Sequence, residues 1–238
     1  MDPRCRVMVG VCTYNEAANI RAMIEQLRAS LPEADLLIVD DNSPDGTATI
    51  ASELADADPQ VRVTVRKHER GLGSAIRCAM SDAIEHSYDY FLNLDGDLSH
   101  DPAQLPTLLD RAIANPETDV VVGSRYVAGG TIVGWPLRRR IMSRMVNAFA
   151  TLCLRLPVKD CSGSMRCYRV ESLRQLNLGD WNCRGYALLE ELLVLLDRRG
   201  AVMTEVPITF TERQQGQSKL TLGEAARSAF QIVRLAFK

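Results

Sequence analysis

The chain of 238 residues is 46% hydrophobic and 24% charged, proportions typical of a globular protein with a substantial core. Its seven cysteines are scattered and never spaced as Cys-x-x-Cys, which favours reduced thiols in a cytosolic protein over a disulfide framework or a zinc site. Arg4 and Arg6 precede an apolar run of only about six residues, so no signal peptide is predicted, and no run approaches the roughly 20 apolar residues of a membrane span. We therefore expect a soluble or peripheral protein.

The first half of the chain alternates short apolar runs with helical patterns. The predicted strands are Arg6–Val11, Leu36–Val39, Val61–Val65, Tyr88–Leu94 and Asp119–Gly123. The predicted helices are Glu16–Ser30, Thr47–Ala57, Leu72–His86 and one that begins near Pro102. Regular alternation of this kind predicts an α/β fold with a mainly parallel sheet flanked by helices.

This alternation ends after Ser124. The Gly-rich stretch Val127–Gly134 is predicted to be flexible. The remaining predicted elements are a helix Pro136–Leu156, a strand Ser164–Arg169, a Leu-rich helix Tyr186–Arg198, a strand Ala201–Phe210 interrupted by Pro207, a polar loop Gln214–Ser218 and a final helix Leu222–Phe237. Since no linker divides the sequence, we expect one domain over residues 1–238.

Two carboxylates one residue apart, those of Asp95 and Asp97, directly follow the fourth predicted strand. The intervening Gly96 leaves room for a bulky anion close to the backbone. Two oxygen ligands on a short turn suit Mg²⁺ or Mn²⁺ shared with substrate phosphates. A polar loop whose Asp residues cap the next helix is the alternative interpretation.

Acidic residues also follow the first two predicted strands. Glu16 comes just after the first strand, and Asp40 and Asp41 end the second. Ligands of open α/β sheets bind at the carboxyl ends of the strands. Three neighbouring parallel strands would therefore bring all these carboxylates to one sheet edge. Each motif also has a simpler interpretation, Asn15 as a helix cap and Ser43–Thr47 as a turn.

Other motifs are weaker. Gly71-Leu72-Gly73 lacks the third glycine of a dinucleotide-binding fingerprint, so a helix start packed close to the sheet is predicted. Ser162-Gly163-Ser164 does not match a nucleophile elbow. The histidines have no metal-ligand spacing, and His100, which lies near the acidic pair, is predicted to have no chemical role.

Basic residues are concentrated between Ser124 and Val170, where nine of them accompany one acid, Asp160. This asymmetry indicates an anionic partner. In Pro136–Leu156, apolar residues alternate with arginines as an interfacial helix requires, and a core helix with a solvated face is the alternative. The final helix has the same pattern. An RNA-binding module is disfavoured, because aromatic residues make up 5% of the chain and no RNA-binding motif is present.

Seven segments in one order carry a family resemblance. They are TYNE (13–16), VDDNSPDGT (39–47), LDGDLSHDP (94–102), GSRY (123–126), GWPLRRRIMSR (134–144), DCSGSMRCYR (160–169) and FTERQQGQSKL (210–220). Together they resemble the family 2 glycosyltransferases with a GT-A fold, and within these the dolichol-phosphate (polyprenol-phosphate) mannosyltransferases. The resemblance covers essentially the whole chain. It implies a nucleotide-binding half (1–124), an acceptor half (125–221) and an amphipathic, membrane-surface helix (222–238).

The resemblance also implies a role for each matched residue. Donor binding is assigned to Cys12, Tyr14, Glu16, Val39, Asp41, Asp95, Gly96 and Asp97, and metal binding to Asp95, Asp97 and Ser99. The acceptor phosphate is assigned to Arg125, Arg139 and Ser143, and catalysis to Asp97, Arg125, Arg139, Arg213 and Lys219. Cys12 is a departure, because the family usually has Pro at this position.

The implied reaction is an inverting transfer of a hexose, mannose from GDP-mannose, to a polyprenyl or dolichyl monophosphate with Mg²⁺ or Mn²⁺. The expected partners are the nucleotide sugar, the lipid phosphate and the cytoplasmic face of a membrane. A membrane-anchoring subunit is compatible with this function, and nucleic acid is not an expected partner. The alternative is another nucleotide sugar such as UDP-glucose, or a non-lipid acceptor. A non-lipid acceptor would need a carboxylate base. Glu190 and Glu191 are candidates by position, and they otherwise simply begin a Leu-rich helix.

Overall fold

The computed structural model describes residues 5–176, residues 188–212 and Leu235. Its strands are β1 (Val7–Thr13), β2 (Asp35–Asp40), β3 (Val61–Val65), β4 (Tyr90–Asp95), β5 (Val120–Ser124), β6 (Thr131–Val133), β7 (Arg166–Arg169), β8 (Met203–Pro207) and β9 (Thr209–Thr211). Its helices are α1 (Ile20–Ser30), α2 (Thr47–Ala57), α3 (Leu72–Glu85), α4 (Leu105–Ala114), α5 (Leu137–Leu154), α6 (Val170–Arg174) and α7 (Leu188–Asp197). A 3₁₀ turn, Pro102–Gln104, directly precedes α4.

Seven of the described strands form one sheet in the order β3-β2-β1-β4-β7-β5-β8. Strand β1 pairs in parallel with both β2 and β4, β2 with β3, and β5 with β8. Strand β7 runs antiparallel between β4 and β5. The predicted α/β fold with a mainly parallel sheet is confirmed, and β6 and β9 add a separate parallel pair.

Helices cover both faces of the sheet. In β1, Met8 and Cys12 belong to the core layer that includes residues of α3, α5, α6 and α7. The alternate residues Val7, Val9 and Val11 belong to the layer with α1, α2 and α4. Side chains of a strand alternate between its two faces, so a strand that is apolar throughout must be covered on both sides.

Most predicted elements of the first half are found with shifts of a few residues at their ends. The predicted bounds of β3 and α2 agree with the structure. Helix α1 begins at Ile20 rather than at Glu16, because the Glu16 carbonyl accepts hydrogen bonds from the N–H groups of Asn19 and Ile20 in a turn. The helix cap is therefore Asn19, and the interpretation of Asn15 as cap is wrong.

Two predictions in the second half need correction. The predicted flexible stretch Val127–Gly134 contains strand β6, in which Ile132 is buried and lies in register with Phe210. The predicted strand Ala201–Phe210 is divided into β8 and β9, which belong to different sheets. Strand β8 ends at Pro207, which has no N–H group to continue a ladder.

Some predictions fall outside the described residues. These are the polar loop Gln214–Ser218, the start of the predicted helix Tyr186–Arg198, and the final helix Leu222–Phe237 except for Leu235, which is buried. Within residues 5–176 and 188–212, no helix combines the length and the hydropathy that a membrane crossing requires.

The six described cysteines are free thiols, as predicted. Cys12, Cys161 and Cys167 are buried, and burial raises the pKa of each thiol above its usual range. Since the thiolate is the reactive form, these three side chains serve as packing groups.

Gly10 in β1 provides a test of the packing beneath the sheet. A Cβ atom on residue 10 would lie 2.7 Å from Cε2 of Phe91 and 3.0 Å from Cβ of Ala79. Both neighbours are fully buried, so neither ring nor methyl group can move aside freely. We expect Gly10→Ala to lower the free energy of unfolding by about 1–3 kcal/mol in urea titrations.

The matched control is Ser52→Ala, at an exposed position of α2. It should change the free energy of unfolding by less than about 0.5 kcal/mol. Equal stability of the two variants would contradict the close packing of Gly10.

Candidate active site

Three strand ends meet at one edge of the sheet. In the register of the parallel ladders, Cys12 lies beside Val39 of β2 and Asp95 of β4, and Thr13 lies beside Asp40. The predicted gathering of the acidic strand ends at one carboxyl edge is thus present in the structure. It results from β1 lying between β2 and β4.

The loop after β4 is held close to the end of β1. A Cβ atom on Gly96 would lie 2.8 Å from Cγ2 of Thr13, so a larger residue would push the loop away. Asp95 accepts a hydrogen bond from the Ser164 hydroxyl at 2.7 Å. The nearly buried Asp97 accepts one from the N–H group of Ser99 at 3.0 Å. The loop thereby aligns two carboxylates on a fixed turn.

The residue that caps the next helical turn is neither Asp95 nor Asp97. Asp101 caps the 3₁₀ turn, where its side chain accepts a hydrogen bond from the N–H group of Ala103 at 2.9 Å. The Ser99 hydroxyl is buried, and its oxygen has no hydrogen-bond partner in the part of the chain that the structure describes. A buried oxygen two residues from Asp97 fits the predicted third metal ligand, since hydroxyl and carboxylate oxygens are hard ligands.

The acidic end of β2 is tied into the protein. Asp40 is fully buried and accepts hydrogen bonds from the hydroxyls of Thr13 and Ser43. Asp41 forms a buried ion pair with Arg66, whose Nε lies 2.7 Å from Oδ1. Asp41 also accepts a hydrogen bond from the N–H group of Gly71 at 2.7 Å. This bond anchors the start of α3, so the predicted helix start next to the sheet is confirmed.

The first strand end is joined to the second. The N–H group of Glu16 donates to the Thr47 hydroxyl at 2.9 Å, and the Glu16 carboxylate accepts from the Asn19 side chain. Tyr14 is half-buried, and the guanidinium of Arg70 lies 5.2 Å from the centre of its ring. An aromatic face and carboxylates at one edge are the groups that can bind a base and ribose hydroxyls.

Arg125, just past β5, is held by a buried carboxylate. Its Nε and Nη2 donate to the two oxygens of Asp160, each at 2.7 Å, and Nη2 also donates to Ser162 at 2.8 Å. Burial alone would raise the pKa of Asp160, but the charge of Arg125 keeps it below its usual value. Arg125 is thereby a permanently charged group in one orientation. The sequence showed Asp160 as the single acid in the basic segment, but it did not show that Asp160 pairs with Arg125.

A second layer of hydrogen bonds fixes Asp160. The Glu205 carboxylate on β8 accepts hydrogen bonds from the N–H groups of Lys159 and Asp160 at 2.8 and 3.0 Å. Asn147, one of three buried residues of α5, accepts the N–H group of Cys161 at 3.1 Å. The same loop therefore orients Arg125 and attaches α5 to the fold. Sequence reasoning missed both supporting residues, since neither carries a local motif.

Arg139 lies on the first turn of α5. Its guanidinium packs over Trp135 at 3.9 Å, and its Nη1 lies 2.5 Å from Oε1 of Glu212. Ser143, one turn later, shares a 2.8 Å hydrogen bond with the Tyr126 hydroxyl. Arg139 is also linked to Arg125, since Trp135 and Arg125 both contact the Phe210 ring, and we call Arg125, Arg139 and Ser143 together the arginine wall. Arg213 and Lys219 lie outside the described residues.

Phe210 of β9 connects the two sides of the site. Its ring contacts His100 edge-to-face at 5.1 Å and Trp135 at 5.3 Å, and the guanidinium of Arg125 lies 5.5 Å from its centre. Burial, with a smaller effect of Arg125, lowers the pKa of His100 to about 4. His100 is therefore neutral near pH 7 and packs against Phe210.

These features define a class of protein. A mainly parallel α/β sheet with an Asp-x-Asp turn at its carboxyl edge is the arrangement of a GT-A glycosyltransferase. The family model of glycosyl transferase family 2 matches residues 8–176, and the chain belongs to this family. The expectation drawn from the seven segments is confirmed.

Curated relatives are close over most of the chain. It is 36% identical over 231 residues to the polyprenol monophosphomannose synthase of Mycolicibacterium smegmatis, covering 97% of this chain and 86% of that protein. It is 37% identical over 229 residues to the undecaprenyl-phosphate mannosyltransferase of Micrococcus luteus, covering 96% and 93%. The dolichol-phosphate mannosyltransferase of Pyrococcus furiosus is 34% identical over 237 residues, covering 96% of this chain and 64% of that protein.

A solved structure supports the fold. Glucosyl-3-phosphoglycerate synthase from Mycobacterium tuberculosis, in complex with Mn²⁺, UDP and glucosyl-3-phosphoglycerate, superposes with a TM-score of 0.68. The match covers 98% of this chain and 78% of that one at 18% identity. At this identity the likeness establishes the GT-A fold.

Glu190 is a buried carboxyl on the first turn of α7. Burial raises its pKa to about 7 from an ordinary 4.5. As pH rises from 4.5 to 7, the unfolded chain loses the Glu190 proton while the folded chain keeps it. The free energy of unfolding should therefore fall by up to roughly 3 kcal/mol across this window. Glu190→Gln should remove the decrease, as measured by urea unfolding at pH 4.5, 5.5, 6.5 and 7.5.

The control for this series is Glu117→Gln, on the exposed loop after α4. It should follow the wild-type pH dependence. If Glu190→Gln also runs parallel to the wild type, the carboxyl is ionised in the folded state and the expectation is wrong.

Proposed function

We propose that this glycosyltransferase transfers mannose from GDP-mannose to a polyprenyl monophosphate, with inversion at the sugar and with a divalent cation. The observation that carries the proposal is the proximity of the carboxylate edge and the arginine wall, because the Phe210 ring contacts His100, Arg125 and Trp135. The names of the relatives support the sugar and the lipid phosphate, since all three are named for mannose or mannosyl transfer linked to a polyprenol.

The carboxylate edge would hold the donor. In this proposal Tyr14, Glu16 and Asp41 bind the base and ribose, and Cys12 and Val39, whose side chains are buried, contribute through their backbone at the strand ends. The residues that would hold Mg²⁺ or Mn²⁺ are Asp95, Asp97 and Ser99. Such a cation, when bound, neutralises negative charge on the diphosphate. The buried Ser99 hydroxyl, which has no hydrogen-bond partner among the described residues, supports this ligand set.

The arginine wall would hold the acceptor. A lipid monophosphate is already ionised near neutral pH, because its second pKa is about 6. A phosphate oxygen can therefore attack the anomeric carbon without a carboxylate base, and the nucleoside diphosphate leaves from the opposite side. The work of the protein is to align the two groups and to stabilise the departing charge. In this proposal Arg125, Arg139 and Ser143 align the acceptor phosphate with the sugar. Arg213 and Lys219 stabilise the negative charge on the departing diphosphate.

A phosphate acceptor and a hydroxyl acceptor differ in whether the reaction needs a general base. A hydroxyl acceptor would require a general base that reaches the reacting edge. Glu190 and Glu191 are both buried on α7, where each is less than a tenth exposed. A hydroxyl acceptor would therefore depend on a buried carboxyl such as Glu190, whereas a phosphate acceptor needs no base.

Helix α5 would hold the protein at a membrane surface. Its inward side consists of Asn147, Ala150 and Leu154. Its exposed apolar residues, each at least half exposed, are Leu137, Ile141, Met142, Met145, Val146, Phe149 and Leu152. At about 100° per residue these occupy the opposite side of the helix from the buried residues. Four arginines on the same helix, Arg138, Arg139, Arg140 and Arg144, suit anionic headgroups.

The proposed reaction is tested with labelled GDP-mannose, polyprenyl phosphate and Mg²⁺ or Mn²⁺, followed by extraction into organic solvent. The wild type should transfer label to the lipid phase and lose this activity on chelation. Asp97→Ala should lower turnover about 100-fold or more at unchanged thermal stability, because charge on the diphosphate is no longer neutralised. Near-normal turnover in excess metal would contradict the site.

The matched control is Asp110→Ala, an exposed Asp of α4, which should retain full activity. Labelled UDP-glucose in parallel tests the alternative donor. Transfer from UDP-glucose alone would replace the donor in the proposal, and label only in the aqueous phase would replace the acceptor.

Membrane binding is tested by co-sedimentation with neutral vesicles and with vesicles that contain anionic lipid. The wild type should bind the anionic vesicles more tightly. Ile141→Glu with Met145→Glu should weaken binding by at least about tenfold, because two apolar contacts are lost and two charges are buried. Ser52→Glu on α2, on the other face of the sheet, is the control. Failure of the wild type to bind either vesicle would contradict the membrane role of α5.

A further inference from the structure

Glu212 lies immediately after β9 and is held in place by its backbone. Its N–H group donates to the Val133 carbonyl at 2.9 Å, which extends the β6–β9 pairing by one residue. Gly134 has a positive φ of 88°, and a Cβ atom there would lie 2.9 Å from Cβ of Glu212. The absence of a side chain at residue 134 thus lets Glu212 approach the segment that leads into α5.

From this position the carboxylate of Glu212 reaches Arg139. Oε1 lies 2.5 Å from Nη1, and the guanidinium is fixed from its other side by Trp135 at 3.9 Å. The side chains of Arg139 and Glu212 are 43% and 40% exposed, so the pair is solvated. Solvated ion pairs are weak and are readily exchanged for a stronger partner.

We propose that Glu212 determines acceptor specificity by competing with the acceptor phosphate for Arg139. The inference rests on the proposed role of Arg139 in acceptor binding. A doubly charged phosphate monoester displaces the carboxylate, because it matches the guanidinium fork equally well and carries twice the negative charge. A singly charged or neutral head group gains too little from Arg139 to do so. Glu212 thereby disfavours membrane phosphodiesters, which share the same surface.

The test compares Glu212→Gln with the wild type in steady-state transfer to polyprenyl monophosphate. The KM for the acceptor should fall about two- to fivefold, while the KM for the donor stays constant. Polyprenyl methyl phosphate, a singly charged diester, serves as a competitive inhibitor. Its affinity should rise more than that of the monoester, so that discrimination decreases. Glu117→Gln is the charge-matched control and should change neither constant.

A double-mutant cycle separates the pair from a general effect of charge. Arg139→Gln should raise the KM for the acceptor about tenfold. In that background Glu212→Gln should have no further effect, since the contested group is gone. Glu212→Asp keeps the charge on a shorter side chain, so its KM for the acceptor should lie between those of Glu212→Gln and the wild type. This variant also provides the test if Glu212→Gln does not fold.

Three outcomes would overturn the inference. These are an unchanged or higher acceptor KM in Glu212→Gln, an equal decrease in the Arg139→Gln background, and unchanged discrimination against the diester. If Arg139→Gln itself leaves the acceptor KM unchanged, the acceptor role of Arg139 fails, and the inference fails with it. Transfer to the lipid phase by the wild type remains a separate result, so the reaction and the role of Glu212 are judged independently.

Discussion

The placement of β1 between two parallel neighbours is the constraint on which the rest of the structure depends. Parallel pairing with β2 and β4 brings the ends of three strands to the same edge. Each of these ends carries acidic residues, which repel each other unless each has a partner. The structure supplies partners for the acids of β2, Arg66 for Asp41 and hydroxyls for Asp40. The Asp95–Asp97 turn lies at the same edge, where Asp95 accepts a hydrogen bond from Ser164 and Asp97 accepts one from the N–H group of Ser99.

The second half of the chain adds charge of the opposite sign to the same edge. Strand β7 enters antiparallel between β4 and β5, so the loop before it returns to the carboxyl edge. That loop carries Asp160, which orients Arg125, and it also anchors α5 through Asn147. One loop therefore orients Arg125 and attaches the helix that carries Arg139. The exposed apolar side of α5 follows from this attachment, because its inward side is narrow and largely polar or small.

Much of the fold could be predicted because it is encoded in local patterns. The apolar runs of β1 to β5 and the intervening helical patterns each lie within about 15 residues, a distance over which periodicity is readable. The acidic residues after strands one, two and four were identifiable for the same reason. The β6–β9 pair was missed, since its two strands have three residues each and stabilise each other across 78 positions of sequence. The segment of β6 has no pattern that distinguishes it from a loop, whereas β9 was predicted only as the end of the strand Ala201–Phe210.

The sequence by itself determined the fold class, the acidic edge, the basic second half and, through its ordered motifs, the family. Tertiary structure decided which charges pair. Arg125, Arg139 and Arg66 look alike in the sequence. In the structure, the buried Asp160 holds Arg125 in place, and Glu212 holds Arg139 in a solvated, exchangeable ion pair. Arg66 neutralises Asp41 at the end of β2. The strength of an ion pair depends on burial and on geometry, and both arise when distant segments pack together. The physical difference between a fixed and an exchangeable arginine therefore exists in the folded chain and not in its order of residues.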